Sequence, residues 1–354
     1  MRETLAEQVA FIVPGSPDAR TGGTLYDRKI AAALERLDWN VDWHSWPAGF
    51  PFPSGADRQE ARDDLASLPD NALVLVDGLA YGAIPDIARE QAKRLRLVAL
   101  VHHPLALETG LLPDRVDALE QAEREALTFA RAVIVTSNAT AALLKERFSV
   151  PGSFLTVAIP GIELPPPVRR TPSSSAPRIF SLGSVTPRKA HHILVAALGT
   201  LAHLDWSCVI AGNLQRDSAT ATALSKQIAA LGLTSRIDLV GEVSESVAEQ
   251  YYRDADIFAL ASVYEGYGMV LSEAMSYGLP IVATTGGAIQ EVVPADAGLL
   301  VNPGNETALA QALETLLTDS ARRANMAAAS RRAAESFPTW EESAAIVSDA
   351  LRKV

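Results

Sequence analysis

Short apolar runs alternate with longer amphipathic segments along the first half of the chain. Runs of this length, bounded by Gly, Pro and Asp, are typical of strands buried in a sheet, and the segments between them follow the period of helices. The pattern predicts six strands, at 9–13, 41–46, 72–76, 97–101, 132–136 and 154–159. It also predicts helices after the first loop and at 58–68, 83–94, 115–129 and 139–148, the last with Ser137 as its N-cap. Strands that alternate with helices indicate a parallel sheet.

The same alternation resumes after a proline- and serine-rich stretch, 164–177, which reads as an extended linker. Predicted strands then lie at 179–182, 207–211, 237–240, 257–260 and 279–284. Predicted helices lie at 219–231, 247–253, 270–277, 307–317, 320–336 and 340–352. The chain is therefore expected to be an α/β protein with two Rossmann-like domains, 1–163 and 178–338, and a terminal helical segment, 339–354.

Composition and charge narrow the class of protein. Hydrophobic residues make up 48% of the chain and charged residues 21%, an ordinary balance for globular domains. The net charge of −11 argues against a nucleic-acid partner, because repulsion from the phosphates would not be offset. The single cysteine, Cys208, lies in an apolar run, so we expect it to be buried, and one cysteine cannot form a disulfide within the chain.

The N-terminal sequence has acidic residues before a very short apolar run, which is unlike a signal peptide. No apolar run approaches the length that a bilayer-spanning helix needs. We therefore expect a cytoplasmic protein, with a peripheral contact at the inner membrane face left open.

Two glutamates eight positions apart mark the stretch 261–293, the most informative part of the chain. Glu265 is expected on the loop after the strand 257–260 and Glu273 about two turns along the next helix, so that both point into one crevice. Carboxylates accept hydrogen bonds from ligand hydroxyls, and the glycines Gly266 and Gly268 let backbone N–H groups approach an anion. A ligand with sugar and phosphate portions is implied. The alternative is a pair of solvated surface acids.

This stretch resembles the E-x7-E motif of the retaining, metal-independent glycosyltransferases of family four, which have the GT-B fold. The resemblance continues through AMSYGLPIVATTGGAIQEVV and the segment GLLVNPG at 298–304. It implies two Rossmann-like domains facing a central cleft, and transfer of a hexosyl group from a nucleotide diphosphate sugar to a hydroxyl acceptor with retention. UDP is the favoured base and GDP-mannose the next candidate, with no metal and no cofactor. The resemblance assigns Glu265 to catalysis at the donor sugar, with His102, Lys189 and Arg188. It assigns Glu273 and the residues 266–270 (Gly266, Tyr267, Gly268, Met269 and Val270) to substrate binding.

A histidine follows the strand 97–101, where a parallel sheet presents its ligand site. A lone histidine there is more often structural. However, the segment HHPL before Glu108 is similar to the family segment whose first histidine lies beside the transferred sugar, so the resemblance gives that role to His102. Gly22 and Gly23 precede the first helix without the spacing of a dinucleotide fingerprint. They resemble the N-terminal glycine loop of GT-B enzymes and are assigned to substrate binding.

Two cations, Arg188 and Lys189, precede a helix start, where they are placed to meet a diphosphate. A solvated basic helix end is the alternative. The segment resembles the family signature G-R-L-x-x-x-K-G, with Gly183 and Lys189 at matching positions. Ser184 stands where arginine is usual, and Ala190 where glycine is usual. Arg188 is expected to supply the missing charge. Four more residues that follow predicted strands of the second domain are assigned to substrate binding with Gly183, namely Ser184, Gly212, Gly241 and Val243.

Other functions remain open from the sequence. A nucleotide-sugar-binding partner protein without catalysis is supported by Ser184 alone, and the same fold would also suit a nucleotide-sugar hydrolase or epimerase. A dehydrogenase is disfavoured because its glycine fingerprint is missing. For the acceptor, the exposed-looking Phe50 and Phe52 and the basic stretch 93–96 hint at an apolar or anionic lipid, although ordinary helix solvation explains the charges equally well. The sequence does not indicate an oligomeric state.

Overall fold

A computed structural model describes residues 7–167 and 176–354 of the chain. These residues form two compact units. Unit 1 contains the described residues up to Gly161 together with Pro338–Val354, and unit 2 contains the described residues of Ile162–Phe337. Residues 1–6, part of the segment on which the absence of a signal peptide is predicted, and 168–175 of the predicted linker lie outside the described residues.

Each unit is built on one six-stranded parallel sheet. The strands of unit 1 are β1 Glu7–Pro14, β2 Trp39–Trp46, β3 Leu73–Asp77, β4 Arg96–Val101, β5 Ala132–Val135 and β6 Leu155–Val157, in the order β2-β1-β3-β4-β5-β6. Those of unit 2 are β7 Arg178–Leu182, β8 Ser207–Ala211, β9 Ile237–Gly241, β10 Ile257–Leu260, β11 Ile281–Thr284 and β12 Gly298–Val301, in the order β12-β11-β10-β7-β8-β9. The predicted α/β class with two Rossmann-like parallel sheets is confirmed.

The apolar runs form strands because helices cover both faces of the sheets. Every residue of β3, β5, β10 and β11 is buried, as expected for parallel strands between helical layers. The helices of the two units are α1 Gly22–Arg36, α2 Gly55–Ser67, α3 Gly78–Tyr81, α4 Pro85–Gln91, α5 Pro113–Leu127, α6 Asn138–Arg147, α7 His191–Thr200, α8 Ser218–Ala230, α9 Glu245–Asp254, α10 Met269–Ser276, α11 Ile289–Val292, α12 Glu306–Thr318, α13 Ser320–Ala334 and α14 Trp340–Arg352.

Most predicted elements agree with the structure to within a few residues, but the helix predicted at 83–94 is wrong in extent. The helix there is the shorter α4, Pro85–Gln91, and it is preceded by the separate short helix α3, whose C-cap is Gly82. Proline suits the first turn because its missing N–H is not needed there. Ser137 is the N-cap of α6, as predicted, and accepts a hydrogen bond from the backbone N–H of Thr140 at 3.0 Å. The strand β12 was not predicted.

The predicted exposure of Phe50 is also wrong. Phe50 is buried, with its ring 5.7 Å from the ring of Trp46, centroid to centroid. Phe52 is 45% exposed, and the guanidinium of Arg115 lies 5.4 Å from the centroid of its ring. Only one of the two phenylalanines therefore contributes to an exposed apolar surface. Cys208 is buried, as predicted.

The final helix, α14, packs within unit 1 against α1 and the ends of β5 and β6. The indole N–H of Trp39 donates to the hydroxyl of Ser348 at 2.8 Å, and the hydroxyl of Ser343 donates to the carbonyl of Ile159 at 2.7 Å. Gly161 lies directly against this helix, since a Cβ on it would be 2.3 Å from the backbone nitrogen of Trp340. Close packing and these hydrogen bonds fix the helix to its unit. Among the described residues, no helix is long and apolar enough to cross a membrane.

Candidate functional site

A pair of glycines fixes the loop that carries Glu265. This loop follows β10, and Gly286 and Gly287 follow the neighbouring strand β11. The N–H of Glu265 donates to the carbonyl of Gly286 at 3.3 Å, and the N–H of Ala288 donates to the carbonyl of Glu265 at 2.9 Å. A Cβ at Gly287 would lie 2.1 Å from that same carbonyl oxygen, so the two loops approach this closely only because the residue is glycine.

The side chain of Glu265 is buried in a cluster of cations. Its Oε1 lies 2.6 Å from Nζ of Lys189 and accepts a hydrogen bond from the hydroxyl of Ser262 at 2.5 Å, while its Oε2 lies 3.5 Å from Nη1 of Arg188. Burial alone would raise the pKa of Glu265, but the charges of Lys189 and Arg188 outweigh it, and the pKa falls to about 2. Glu265 is therefore an anion at neutral pH, and the structure brings it into contact with the predicted site residues Lys189 and Arg188.

The cations reach Glu265 on a turn between β7 and α7. The N–H of Val263 donates to the carbonyl of Arg188 at 2.8 Å, and Nη1 of Arg188 donates to the carbonyl of Tyr264 at 2.9 Å. The turn ends at Ala190, which has φ 48° and ψ 38° in the left-handed region. Glycine adopts this conformation without the steric cost that alanine carries. The backbone thus retains the geometry for which glycine is usual, and Ser184 lies half-buried on the same loop.

Three predicted glycines meet where β7, β8 and β9 end. The N–H of Gly212 donates to the carbonyl of Gly241 at 2.8 Å. Gly212 has φ +150°, and a Cβ on it would lie 1.9 Å from the carbonyl oxygen of Gly183. This approach excludes any side chain and leaves backbone groups at the surface of the loops. Val243 is half-buried, two residues beyond Gly241.

Glu273 lies just over one turn into α10, not two turns as predicted. The helix starts after Gly268, which has φ +94°, and Met269 and Val270 form its first turn. The hydroxyl of Tyr252 donates to Oε2 of Glu273 at 2.9 Å. Tyr252 was not predicted as a site residue.

Of the remaining predicted residues of this loop, Tyr267 is buried and Gly266 half-buried. Ser262, which hydrogen-bonds Glu265, was also missed. Its position directly after the strand 257–260 is the signal that could have indicated it.

In unit 1, His102 lies between two carboxylates. Its Nε2 is 3.0 Å from Oδ1 of Asp27, on α1, and 3.2 Å from Oδ2 of Asp77, at the end of β3. The side chain of Asp27 is 0% exposed and that of Asp77 7%, whereas His102 is 19% exposed. Gly23 allows the ring to approach α1, because a Cβ there would lie 3.2 Å from Cδ2 of His102. Gly22 is the exposed first residue of the same helix.

The two carboxylates favour the charged form of the histidine. Burial would lower the pKa of His102, but the charge and hydrogen bonds of Asp27 and Asp77 outweigh it and raise the pKa to about 10. Burial raises the pKa of Asp27 to about 7 although His102 opposes the shift. Among the residues that the structure describes, these three side chains form the one His and carboxylate group with ligand atoms within 4.8 Å of one another, a spacing that a metal ion would also need. The predicted independence from metal stays a prediction. Asp27 and Asp77 were missed by the sequence analysis.

Comparison with known proteins finds a family match within unit 2. Residues 169–333 match the family model described as glycosyl transferases group 1. The chain is 34% identical over 177 residues to a D-inositol 3-phosphate glycosyltransferase of Xylanimonas cellulosilytica, an alignment that covers 49% of this chain and 42% of that protein. It is 30% identical to the lipopolysaccharide core biosynthesis mannosyltransferase LpsB of Rhizobium meliloti, over 61% of this chain and 64% of LpsB. The chain thus spans less than two thirds of the length of these two relatives.

The similarity of fold extends further than these alignments. The structure of HepE from Anabaena in complex with UDP and glucose superposes with a TM-score of 0.78 at 20% identity, covering 98% of this chain and 100% of HepE. Two parallel Rossmann-like sheets in this arrangement of strands define the GT-B class, which confirms the predicted fold class. Residues 169–333 thus match the glycosyl transferases group 1 family. The predicted resemblance to this family is confirmed.

Proposed function

We propose that this chain transfers a hexosyl group from a nucleotide diphosphate sugar to a hydroxyl acceptor, with retention of configuration and without a metal ion. The observation that carries the proposal is the cluster of Lys189 and Arg188 on Glu265, next to the glycine loops at the carboxyl ends of β7, β8 and β10. Ligands of parallel α/β sheets bind at this edge. A family of glycosyltransferases supplies the class of ligand.

The cations of the cluster suit the diphosphate of the donor. Departure of a nucleoside diphosphate develops negative charge that must be stabilised, and Lys189 and Arg188 are the cations of this cluster that are placed to do so. Glu265 offsets one of the two positive charges of this cluster. On donor binding, we expect Lys189 to turn toward the phosphates while Glu265 accepts hydrogen bonds from the sugar hydroxyls. Glu273, held by Tyr252, is assigned to the ribose hydroxyls.

UDP remains the favoured base and GDP the next candidate. The complex of HepE with UDP and glucose supports UDP, and the name of LpsB, a mannosyltransferase, supports a mannosyl donor. The acceptor is proposed to be a sugar or cyclitol hydroxyl, since several relatives are named D-inositol 3-phosphate glycosyltransferases. A glycolipid acceptor, a cytoplasmic location and a peripheral membrane contact also stay proposals. No cofactor beyond the donor is proposed.

The proposed chemistry is attack on the same face of the sugar from which the diphosphate departs, through an oxocarbenium-like state. The departing phosphate accepts the proton of the acceptor hydroxyl, so no protein nucleophile is needed. Glu265 is saturated by cations and would be a poor nucleophile while they remain bound to it. His102 keeps the role that the family resemblance gives it, beside the transferred sugar.

Binding of nucleoside diphosphates tests the donor site. The protein is titrated with UDP, GDP, ADP and TDP, with and without EDTA, by calorimetry and thermal shift. One base is expected to bind, unaffected by EDTA, and a hundredfold excess over its Kd should stabilise the protein by roughly 2.7 kcal/mol. Lys189→Met should weaken binding at least tenfold, since it removes a charged partner of the phosphates. Glu314→Gln, at an exposed position on α12, is the matched control.

No binding of any base by the wild-type protein would contradict the proposal. Binding without transfer to any acceptor would instead favour the partner protein without catalysis, and release of free hexose without an acceptor would favour a hydrolase.

A further inference from the structure

The ring of His102 is held along one edge. Both carboxylates contact the same nitrogen, Nε2, and Gly23 packs against the adjacent Cδ2. Within the described residues, Nδ1 has no hydrogen-bond partner, and the side chain keeps 19% of its surface exposed. The ring is thus fixed at Nε2, and Nδ1 is its remaining polar atom.

The two carboxylates are themselves held in place by the fold. Oδ1 of Asp77 accepts the N–H of Leu79 at 2.6 Å as the N-cap of α3, which turns Oδ2 toward His102. Asp27 lies inside α1 and is fully buried, and its Oδ2 has no hydrogen-bond partner among the described residues. Two buried carboxylates at one point require a positive charge between them, because isolated buried anions are strongly disfavoured. The doubly protonated ring of His102 supplies that charge.

We infer that Asp27 and Asp77 are positioning residues, which hold His102 by Nε2 so that Nδ1–H donates a hydrogen bond to a hydroxyl of a neutral sugar ligand. The inference rests on the proposed function. A hydroxyl suits this site better than a phosphate oxygen, because Asp27 and Asp77 already offset the positive charge of the imidazolium. The arrangement matches the general use of carboxylates to fix the protonation and orientation of a histidine. His102 acts here as a hydrogen-bond donor, with no proton transfer.

The neighbours of the ring agree with this assignment. The charged groups that face it are Asp27 from α1 and Asp77 from β3. The ring of Tyr26 meets it edge-on, with centroids 5.3 Å apart, and the hydroxyl of Tyr26 donates to the carbonyl of Ala158 at 2.8 Å. Burial raises the pKa of Tyr26, so it stays neutral. The raised pKa of His102 keeps both ring nitrogens protonated at neutral pH.

We call Asp27 and Asp77, with the Nε2 atom of His102 that they hold, the clamp. Nitrogen NMR of the histidine rings tests the clamp without any substrate. The chain has six histidines, few enough to resolve after selective labelling, and His102→Gln identifies the signal of His102. At pH 7.5 both nitrogens of His102 should be protonated in the wild-type protein and one should be unprotonated in Asp27→Asn/Asp77→Asn. Asp77→Asn keeps an oxygen for the N–H of Leu79, so the helix cap survives. Asp70→Asn, at an exposed site, is the control and should leave the signal of His102 unchanged.

A neutral His102 in the wild-type protein overturns the inference without need of a variant. An unchanged signal in the folded double variant also overturns it. The His102 signal is also followed during titration with Zn²⁺ or Mn²⁺. A change that is complete at one metal ion per protein and is reversed by EDTA would show that a metal, and not a proton, joins the three side chains. That result would overturn the inference.

Kinetics test the role of the clamp in transfer. With whichever of UDP-glucose, UDP-galactose or GDP-mannose supports turnover, Asp27→Asn and Asp77→Asn should each lower kcat by roughly 10- to 100-fold, the range for a hydrogen bond from a charged donor. Binding of the nucleoside diphosphate alone should stay within twofold of wild type, which a general structural defect would not allow. Unchanged kcat in both variants contradicts the inference. Absence of turnover in the wild-type protein contradicts the proposed function instead. The NMR result then tests by itself whether Asp27 and Asp77 hold His102 doubly protonated.

Discussion

Removal of the Lys189 ammonium should destabilise unit 2, and the effect should depend on pH. Nζ of Lys189 lies 2.6 Å from Oε1 of Glu265, and the side chains are 14% and 7% exposed. Removing one partner of a buried ion pair costs about 3–5 kcal/mol because the other charge is left without compensation. Arg188 and the hydroxyl of Ser262 still contact Glu265 in Lys189→Met, so we expect a smaller cost than this range, about 2–3 kcal/mol.

The pH dependence follows from the lowered pKa of Glu265. Burial opposes this shift, but Lys189 and Arg188 hold the pKa at about 2, below its ordinary value of 4.5. Such a group contributes stability that is present above its unfolded pKa and is lost as the pH falls through the folded one. Lys189→Met raises the folded pKa and removes part of this contribution. The difference from wild type should therefore be full at pH 7.5 and smaller at pH 3, which lies between the ordinary pKa of 4.5 and the folded pKa of about 2.

Thermal unfolding at the two pH values measures both effects. For a unit of this size, 1 kcal/mol corresponds to about 2–4 °C in Tm, so Lys189→Met should lower Tm by about 5–10 °C at pH 7.5. Lys226→Met, at an exposed position of α8, is the matched control and should shift Tm by no more than about 2 °C. A Tm for Lys189→Met equal to the control, or a difference that grows as the pH falls, would refute this reasoning.

Three further changes test other parts of the structure. Ala190→Gly should raise Tm by about 2 °C, since glycine adopts φ 48° without the cost that alanine carries, and a lower Tm would contradict this. Glu123 accepts the N–H of Leu105, and burial raises its pKa to about 8, so wild-type stability should fall by a few kcal/mol as the pH rises from 4.5 to 8. Urea unfolding of Glu123→Gln should show a flatter profile, and parallel profiles would argue against the buried carboxyl. Tyr252→Phe removes the hydrogen bond to Glu273 and should weaken nucleoside diphosphate binding by roughly fivefold, but not binding of the 2′,3′-dideoxy analogue. If calorimetry shows that Tyr252→Phe weakens the binding of both ligands equally, Tyr252 does not act through the ribose hydroxyls.

The sheets and the glycine loops could be predicted because their signals are local. Buried parallel strands are continuous apolar runs, and the closest backbone contacts leave glycine as the only residue that fits, as at Gly287. At Ala190 the backbone conformation is left-handed, which explains why glycine is usual at this position. The family resemblance indicated Glu265 and Lys189 as separate site residues, but their contact across 76 positions was not predicted.

The missed residues depend on contacts that the local pattern does not contain. His102 and Asp27 are 75 positions apart, and they meet because β1, β3 and β4 are neighbours in the sheet, an order that alternation alone leaves open. Tyr252 on α9 donates to Glu273 on α10 from 21 positions away, a contact that the pattern of neither helix indicates. Phe50 was expected at the surface because its loop is rich in proline and glycine, but packing against Trp46 buries it.

Transfer itself is the most direct test of the account. The protein is incubated with UDP-glucose, UDP-galactose or GDP-mannose, with inositol 3-phosphate or simple hexoses as acceptors and EDTA present, and proton NMR of the anomeric region follows the product. The account predicts a product with the anomeric configuration of the donor from the wild-type protein, and its loss in Glu265→Gln with nucleotide binding retained. A product of inverted configuration, or a Glu265→Gln variant as active as wild type, would contradict it.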